Sequence, residues 1–285
     1  MKILITYPGL ESFIKGRIIA PGMVESEHSS LLAKKELEKI QEIHFKDLKD
    51  LVKQIKGIEL KVQLIENFTV TCTRTSQEAF MSEEVKKEVV KIIIKKYNIP
   101  VQHKNPKTTL HLEIVGQLCL VTLEKGDYSG KRVYKLRSAT GSISAPLANA
   151  LLDIAEIKPN ETIYDPFCKD GTLAIEAKLR GIEMVYIHDS KSTNLYSAKV
   201  NATVAKVTLN EGQPKEIDKI ITVLPSPSKR RSENSAKKLI QLLPQNTEII
   251  ALIQKPEILS VLNREVIQKA KVLIGNDWLS IVIIK

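Results

Sequence analysis

Three cysteines, Cys72, Cys119 and Cys168, are all the thiols in the chain, and no two stand in a CxxC pair. That spacing suggests neither a zinc site nor a disulfide framework. It fits a reducing, intracellular compartment, so a cytoplasmic protein with buried or half-buried thiols and no metal is expected. Long apolar runs are also missing. None approaches the ~18 residues that span a bilayer, and Met1–Tyr7 shows no basic segment followed by a long apolar one. No membrane span and no signal peptide are expected. Aromatic residues make up only 5%; with Lys, Glu and Ile abundant, the composition leans toward that of thermophile proteins. Gly-rich phosphate loops of the GxGxxG or GxxxxGK type are absent, which argues against a pyrophosphate cradle for NAD or ATP.

What is present is positive charge, unevenly spread. The 285 residues carry a net charge of +10. Residues 1–139 hold 24 Lys and Arg against 17 Asp and Glu, whereas residues 140–285 hold 19 against 16. A basic half attracts polyanions and supplies phosphate contacts. The length suits about two domains.

Periodicity sets out the elements. Residues 2–7 predict a strand, 10–19 a short helix and 29–42 a Lys/Glu-rich surface helix. Asp47 caps a helix over 48–57, and 58–64 alternate as a strand. A strand at 67–73 and a helix from Ser82 follow, with Glu83 and Glu84 in its first turn, where the dipole favours acids. Strands at 108–115 and 117–123 precede a basic, Gly-containing stretch read as the linker. After Pro146, helices alternate with strands at 161–165, 183–189, 218–224 and 248–253. A helix at 256–269 and two strands around Gly275-Asn276-Asp277 close the chain. That order indicates a doubly wound α/β sheet. The domains expected are 1–66, 67–124, a linker at 125–145, and 146–285.

In such sheets ligands bind beyond the carboxyl ends of the strands. Asp165 sits at one such end, and Gly171 allows close backbone approach near a helix N-terminus. Asp189, 24 residues after Asp165, stands at the next strand end, where an acid accepts ribose hydroxyls.

Two stretches carry a family resemblance. Residues 143–180, with Asp165-Pro166-Phe167-Cys168-Lys169-Asp170-Gly171-Thr172 and Glu176-Ala177, resemble the methyltransferase entry of THUMP-containing RNA methyltransferases, whose turn reads D-P-F-C-G-S-G-T. Phe68-Thr69-Val70, Arg74, Phe80, Ser82-Glu83, residues 104–115 and Lys131-Arg132-Val133-Tyr134 resemble a THUMP core. Pro8-Gly9-Leu10-Glu11 resembles the ferredoxin-like module that precedes it. The resemblance implies an N-terminal α+β ferredoxin-like plus THUMP half and a C-terminal Rossmann-like methyltransferase domain. It implies S-adenosylmethionine as cofactor, held by Asp165, Phe167, Gly171, Asp189 and Glu211, and tRNA or another structured RNA as partner, often methylated at guanine N2.

Two departures set the chain apart from that pattern. Lys169 and Asp170 replace Gly-Ser, adding bulk and positive charge near a sulfonium cation. The family's catalytic motif, Asn or Asp, then Pro or Leu, then Pro-Tyr, reads Val223-Leu224-Pro225-Ser226. Val223 cannot accept hydrogen bonds from an exocyclic amine, and Ser226 offers no ring to stack on a flipped base. Two readings follow: a catalytically degenerate, RNA-binding homologue, working with an active methyltransferase or other protein partner, or an active guanine-N2 methyltransferase with divergent motifs. For RNA contact the candidates are Arg74, Lys107, Lys131, Arg132, Tyr134 and Arg137, by phosphate pairing and aromatic stacking. Lys229-Arg230-Arg231 form a further basic run.

Overall fold

The computed structural model describes residues 1–60, 66–75, 80–125, 132–227 and 232–285. The chain divides into two compact units. The first comprises residues 1–5, 15–29 and 35–129; the second comprises 6–14, 30–34 and 130–285.

The first unit is a seven-stranded sheet. Its strands are β1 (Lys2–Ile5), β2 (Arg17–Ala20), β3 (Met23–Ser26), β4 (Lys35–His44), β5 (Phe68–Arg74), β6 (Thr108–Val115) and β7 (Leu118–Lys125). Their order is β2-β3-β1-β4-β7-β6-β5, with β5 and β6 parallel. Helices α1 (Leu48–Gly57) and α2 (Ser82–Tyr97) bury Leu51, Ile55, Val85, Val89 and Ile93 against Val70, Leu110, Leu112 and Val121. Asp47 caps α1 as expected, accepting from Asp50 N at 2.8 Å. The segments expected as separate modules, 1–66 and 67–124, contribute to one sheet, joined where β4 pairs with β7.

The helix expected over 29–42 is instead strand β4, central between β1 and β7. Its charges are satisfied partly along the strand and partly by residues of β2 and β3. Lys39 reaches Glu25 at 2.5 Å and Glu42 at 2.7 Å, while Arg17 reaches the same two acids at 2.7 and 2.8 Å. The Arg17–Glu25 pair, directly opposite on β2 and β3, contributes roughly 0.2–1 kcal/mol. The helix expected at 10–19 is one 3₁₀ turn (Glu11–Phe13) followed by β2. Residues 61–65 of the expected strand at 58–64 and beyond lie outside the described residues.

The second unit holds a second seven-stranded sheet. It contains β8 (Thr162–Asp165), β9 (Met184–Ile187), β10 (Asn210–Glu211), β11 (Lys219–Val223), β12 (Glu248–Ile253), β13 (Val266–Ile274) and β14 (Asp277–Ile284). The order is β10-β9-β8-β11-β12-β14-β13, parallel except for β14, which runs antiparallel to β12 and β13. The helices are α3 (Ala145–Ile154), α4 (Thr172–Leu179), α5 (Ser192–Ala205) and α6 (Glu233–Gln241). The expected helix at 256–269 stops as a 3₁₀ turn at Leu262. Asn263 then turns the chain in a left-handed conformation and β13 begins at Val266. Packing explains the change, because Ile258, Leu259 and Leu262 join the core of Tyr164, Ile220, Ile240 and Ile249. Among the described residues no helix is long and apolar enough to cross a membrane.

Candidate functional site

The carboxyl ends of β8, β9, β11 and β12 gather the chemistry of the second unit. The turn after β8 is woven to β9: His188 N donates to Asp165 O at 2.9 Å and Cys168 N to His188 O at 3.0 Å. Gly171 then takes φ +77°, and a Cβ there would lie 2.8 Å from Ala198 Cβ of α5. Only glycine meets both demands, so the turn enters α4 tightly.

The two strand-end acids are already occupied by local donors. Asp165 is buried; its Oδ1 accepts from the Thr222 hydroxyl at 2.6 Å and from Phe167 N at 3.2 Å. Burial pushes its carboxyl up to about 7, against the pull of those two bonds. Asp189 is also buried, and accepts from Lys169 N at 3.1 Å and Lys191 N at 3.0 Å. Glu211 lies exposed on edge strand β10, where its carboxylate pairs with Lys199. Phe167 is half-buried and lines a cavity of about 390 Å³ with Tyr164, His188 and Leu242. That space lies beside the short β10–β11 connection, residues 212–218.

Lys169 stands at φ +54°, the left-handed region that glycine tolerates best. Its neighbour Asp170 is buried. Asp170 accepts from Thr172 N and Oγ1 at 3.3 and 2.8 Å, and its other oxygen lies 3.1 Å from Lys135 Nζ. The serine replaced by Asp170 has thus become one half of a buried ion pair.

A second cavity, about 500 Å³, opens at these strand ends. Val223, Leu224, Pro225 and Ser226 line one side of it, with Thr140 and Gly141, Lys169, Lys191 and Gln254 around it. The four motif positions therefore share a wall with the turn. Ser226 Oγ accepts a hydrogen bond from Gln254 N at 3.3 Å.

The residues expected to touch RNA divide sharply. Tyr134 is only 5% exposed and donates its hydroxyl to Glu176 Oε1 at 2.7 Å, so it has no face free for a base. Arg132 grips the same carboxylate at 2.9 and 3.3 Å, and Asn149 Nδ2 completes the cage at 2.7 Å. Both side chains brace Glu176, itself buried, because a buried carboxylate demands donors on every side. Arg74 is half-buried too, spending its guanidinium on Ser82 Oγ at 3.0 Å and on the Phe80 carbonyl. Lys107 and Arg137 are exposed; the Arg137 guanidinium lies 4.8 Å from the Tyr196 ring centre. Lys131 and Lys229-Arg230-Arg231 fall outside the described residues. Sequence reasoning missed one basic stripe. Lys87, Lys91 and Lys95 recur every fourth residue on α2 and are all exposed. The 3.6-residue period alone would have found it.

Residues 132–222 match the UPF0020 domain, described as an RMKL-like methyltransferase domain, and residues 44–124 match the THUMP domain. The chain carries both domains, a THUMP domain and an RMKL-like methyltransferase domain, consistent with the THUMP-containing methyltransferases its sequence resembles. Its α/β class, a THUMP half with a Rossmann-like half, is as expected. The chain is 29% identical over 111 residues to a tRNA (guanine(6)-N2)-methyltransferase of Thermus thermophilus, covering 39% of this chain and 33% of that protein. It is 24% identical over 140 residues to a protein of the same name from Archaeoglobus fulgidus, covering 46% and 36%. The chain thus spans about a third of the length of these curated relatives. The crystal structure of TrmN from Thermus thermophilus superposes with a TM-score of 0.80 at 20% identity, over 100% of this chain and 98% of that one. At that identity the likeness shows the fold.

Proposed function

We propose that this chain binds tRNA or a related structured RNA and works in RNA modification without itself transferring a methyl group. The observation that carries the reading is the wall of the 500 Å³ cavity. Val223 and Ser226 stand there where the family resemblance calls for an amide or carboxylate and an aromatic ring. A base entering that cavity would find no acceptor at Val223 and no stacking face at Ser226.

The turn supports the same reading. S-adenosylmethionine carries a sulfonium cation, and the ammonium-bearing Lys169 lines the cavity. Like charges in a partly dry site repel. Asp189, the acid a ribose would need, is buried and already accepts from the Lys169 and Lys191 amides. These residues do not suit the cofactor, and no methyl-transfer step is derived through it. The THUMP domain, the basic stripe of α2 and the exposed Lys107 and Arg137 support RNA as the partner. In this reading an active methyltransferase or another protein supplies the chemistry.

The alternative is an active tRNA guanine-N2 methyltransferase with divergent motifs, favoured by the names of the relatives. Purified protein, unmodified tRNA and labelled S-adenosylmethionine separate the two, with a gel shift run in parallel. A shift without label transfer is expected. Transfer of label to the tRNA overturns the proposal.

A further inference from the structure

The chain has one tryptophan, Trp278, and β14 holds it 54% exposed. An indole has a large apolar area to bury, yet this one faces water. The backbone beneath it is fixed. Trp278 lies opposite Leu273 of β13, and the two strands are joined by the turn Gly275-Asn276, with Gly275 at φ +63°. Leu273 N donates to Pro8 O at 3.0 Å, and a Cβ on Gly9 would collide with the Lys271 carbonyl. Residues 6–14, which belong to the second unit, thus brace β13. A ring on a braced hairpin loses little freedom when a partner stacks on it.

The strand register sets lysines on both flanks of the ring. Lys271 stands two residues from Leu273 on β13, diagonal to Trp278, a separation of about 7–8 Å that long side chains span. On the other flank Ile253 of β12 pairs with Ser280, so Lys255, two residues further on, continues that register toward Trp278. Both lysines are exposed. Of the acids close by in sequence, Asp277 is turned to the opposite side by the pleat, and Glu257 has left the strand for the 3₁₀ turn. An aromatic face flanked by ammonium groups suits an unpaired base and its phosphates. A protein partner suits it less, because protein interfaces are enriched in Trp but depleted of Lys.

We propose that Trp278 is a stacking platform for an unpaired base of the bound RNA, with Lys255 and Lys271 on the flanking phosphates. Leu279, the next residue, lines the 500 Å³ cavity, and successive strand residues point to opposite faces. The base stacked on Trp278 therefore lies outside that cavity. The proposal rests on the reading of this chain as one that binds RNA, and it holds whether or not a methyl group is transferred.

With no second tryptophan in the chain, selectively excited indole fluorescence reports on this position alone. The full chain is titrated with unmodified tRNA, with a gel shift in parallel and a blunt RNA duplex for comparison. Saturating quenching that follows the tRNA shift is expected, with little from the duplex. W278A should weaken tRNA binding about fivefold or more and leave the slope of log K against log salt unchanged. W278F keeps a ring and should restore most of the loss. K255A K271A should instead reduce the slope, by about 0.7 per lost phosphate contact on a single strand. All three positions are exposed, so the variants should fold. A tRNA shift with unchanged fluorescence, equal quenching by the duplex, or a W278A chain that binds like wild type overturns the platform and leaves the RNA-binding reading standing. No shift with any RNA overturns both. Indole emission that changes with protein concentration alone, with a larger mass in sedimentation that W278A abolishes, would make this face a contact between copies of the chain and overturn the proposal.

Discussion

Arg132 closes on Glu176 through two hydrogen bonds, from Nε at 2.9 Å and Nη2 at 3.3 Å, 44 positions apart in the chain. The bond ties the segment after the first unit to helix α4 of the second sheet. The Glu176 side chain is only 4% exposed, so its charge depends on Arg132, Tyr134 and Asn149. Removing one partner of a buried pair costs more than the pair contributes, because the survivor stays buried and unpaired. Arg132→Ala is expected to lower unfolding free energy by about 2–3 kcal/mol, read as a lower midpoint in urea with an unchanged slope. An unchanged midpoint would show that Glu176 has other support.

RNA affinity is tested where folding is not at stake. Arg137 and Lys107 are exposed, and the backbone of Arg137, not its guanidinium, is what Asn201 binds. Arg137→Ala and Lys107→Ala should each weaken tRNA binding and reduce the slope of log K against log salt by about 0.9 per lost phosphate contact. Lys87→Ala, Lys91→Ala and Lys95→Ala on α2 should act likewise. If salt titrations of all five variants overlay the wild type, RNA binds through another face.

Asp165 makes stability depend on pH in an uncommon direction. Burial raises its folded pKa from 3.8 to about 7. Between those values the folded state keeps a proton that the unfolded chain has lost, so this group's contribution falls as pH rises from about 4 to 7 and levels off above. Asp165→Asn should remove that slope and raise Tm at pH 8, since its amide oxygen still accepts from Thr222 and Phe167. A variant less stable than wild type at pH 8 would mean that the ionised carboxylate is itself stabilising.

Gly171→Ala combines a left-handed φ of +77° with a Cβ placed 2.8 Å from Ala198 Cβ. Both terms oppose the native turn, and the cost should be about 2–3 kcal/mol. Ala198→Gly, which removes the facing methyl, should recover part of it; thermal melts of the single and double variants separate strain from clash.

Much of the second unit was legible because its signals are local. Asp165-Pro166-Phe167-Cys168 marks a strand end and turn, and the alternation of apolar strands with helices is repeated down the chain. The first unit was harder to read. Residues 29–42 carry apolar Leu31, Leu32, Leu37 and Ile40 at helix-like intervals with Lys and Glu between them, a pattern that local periodicity assigns to a helix. Strand β4 forms because β1 and β7 lie on either side of it and because Arg17 and Glu25 answer its charges. Those partners are far away in sequence, and no local window contains them.

The same divide runs through the candidate site. The residues themselves determined the family resemblance, the basic excess, and the absence of a side-chain acceptor at Val223 and of a ring at Ser226, since side-chain chemistry is written in the sequence whatever the fold. Tertiary structure alone decided which charges are spent. Arg132 and Tyr134 look like an RNA-facing basic-aromatic pair until Glu176 is seen buried between them, whereas Lys169 and Lys191, 22 residues apart, line one cavity. Whether a charge is free for a ligand depends on its neighbours in space, and burial and distance exist only once the chain has folded.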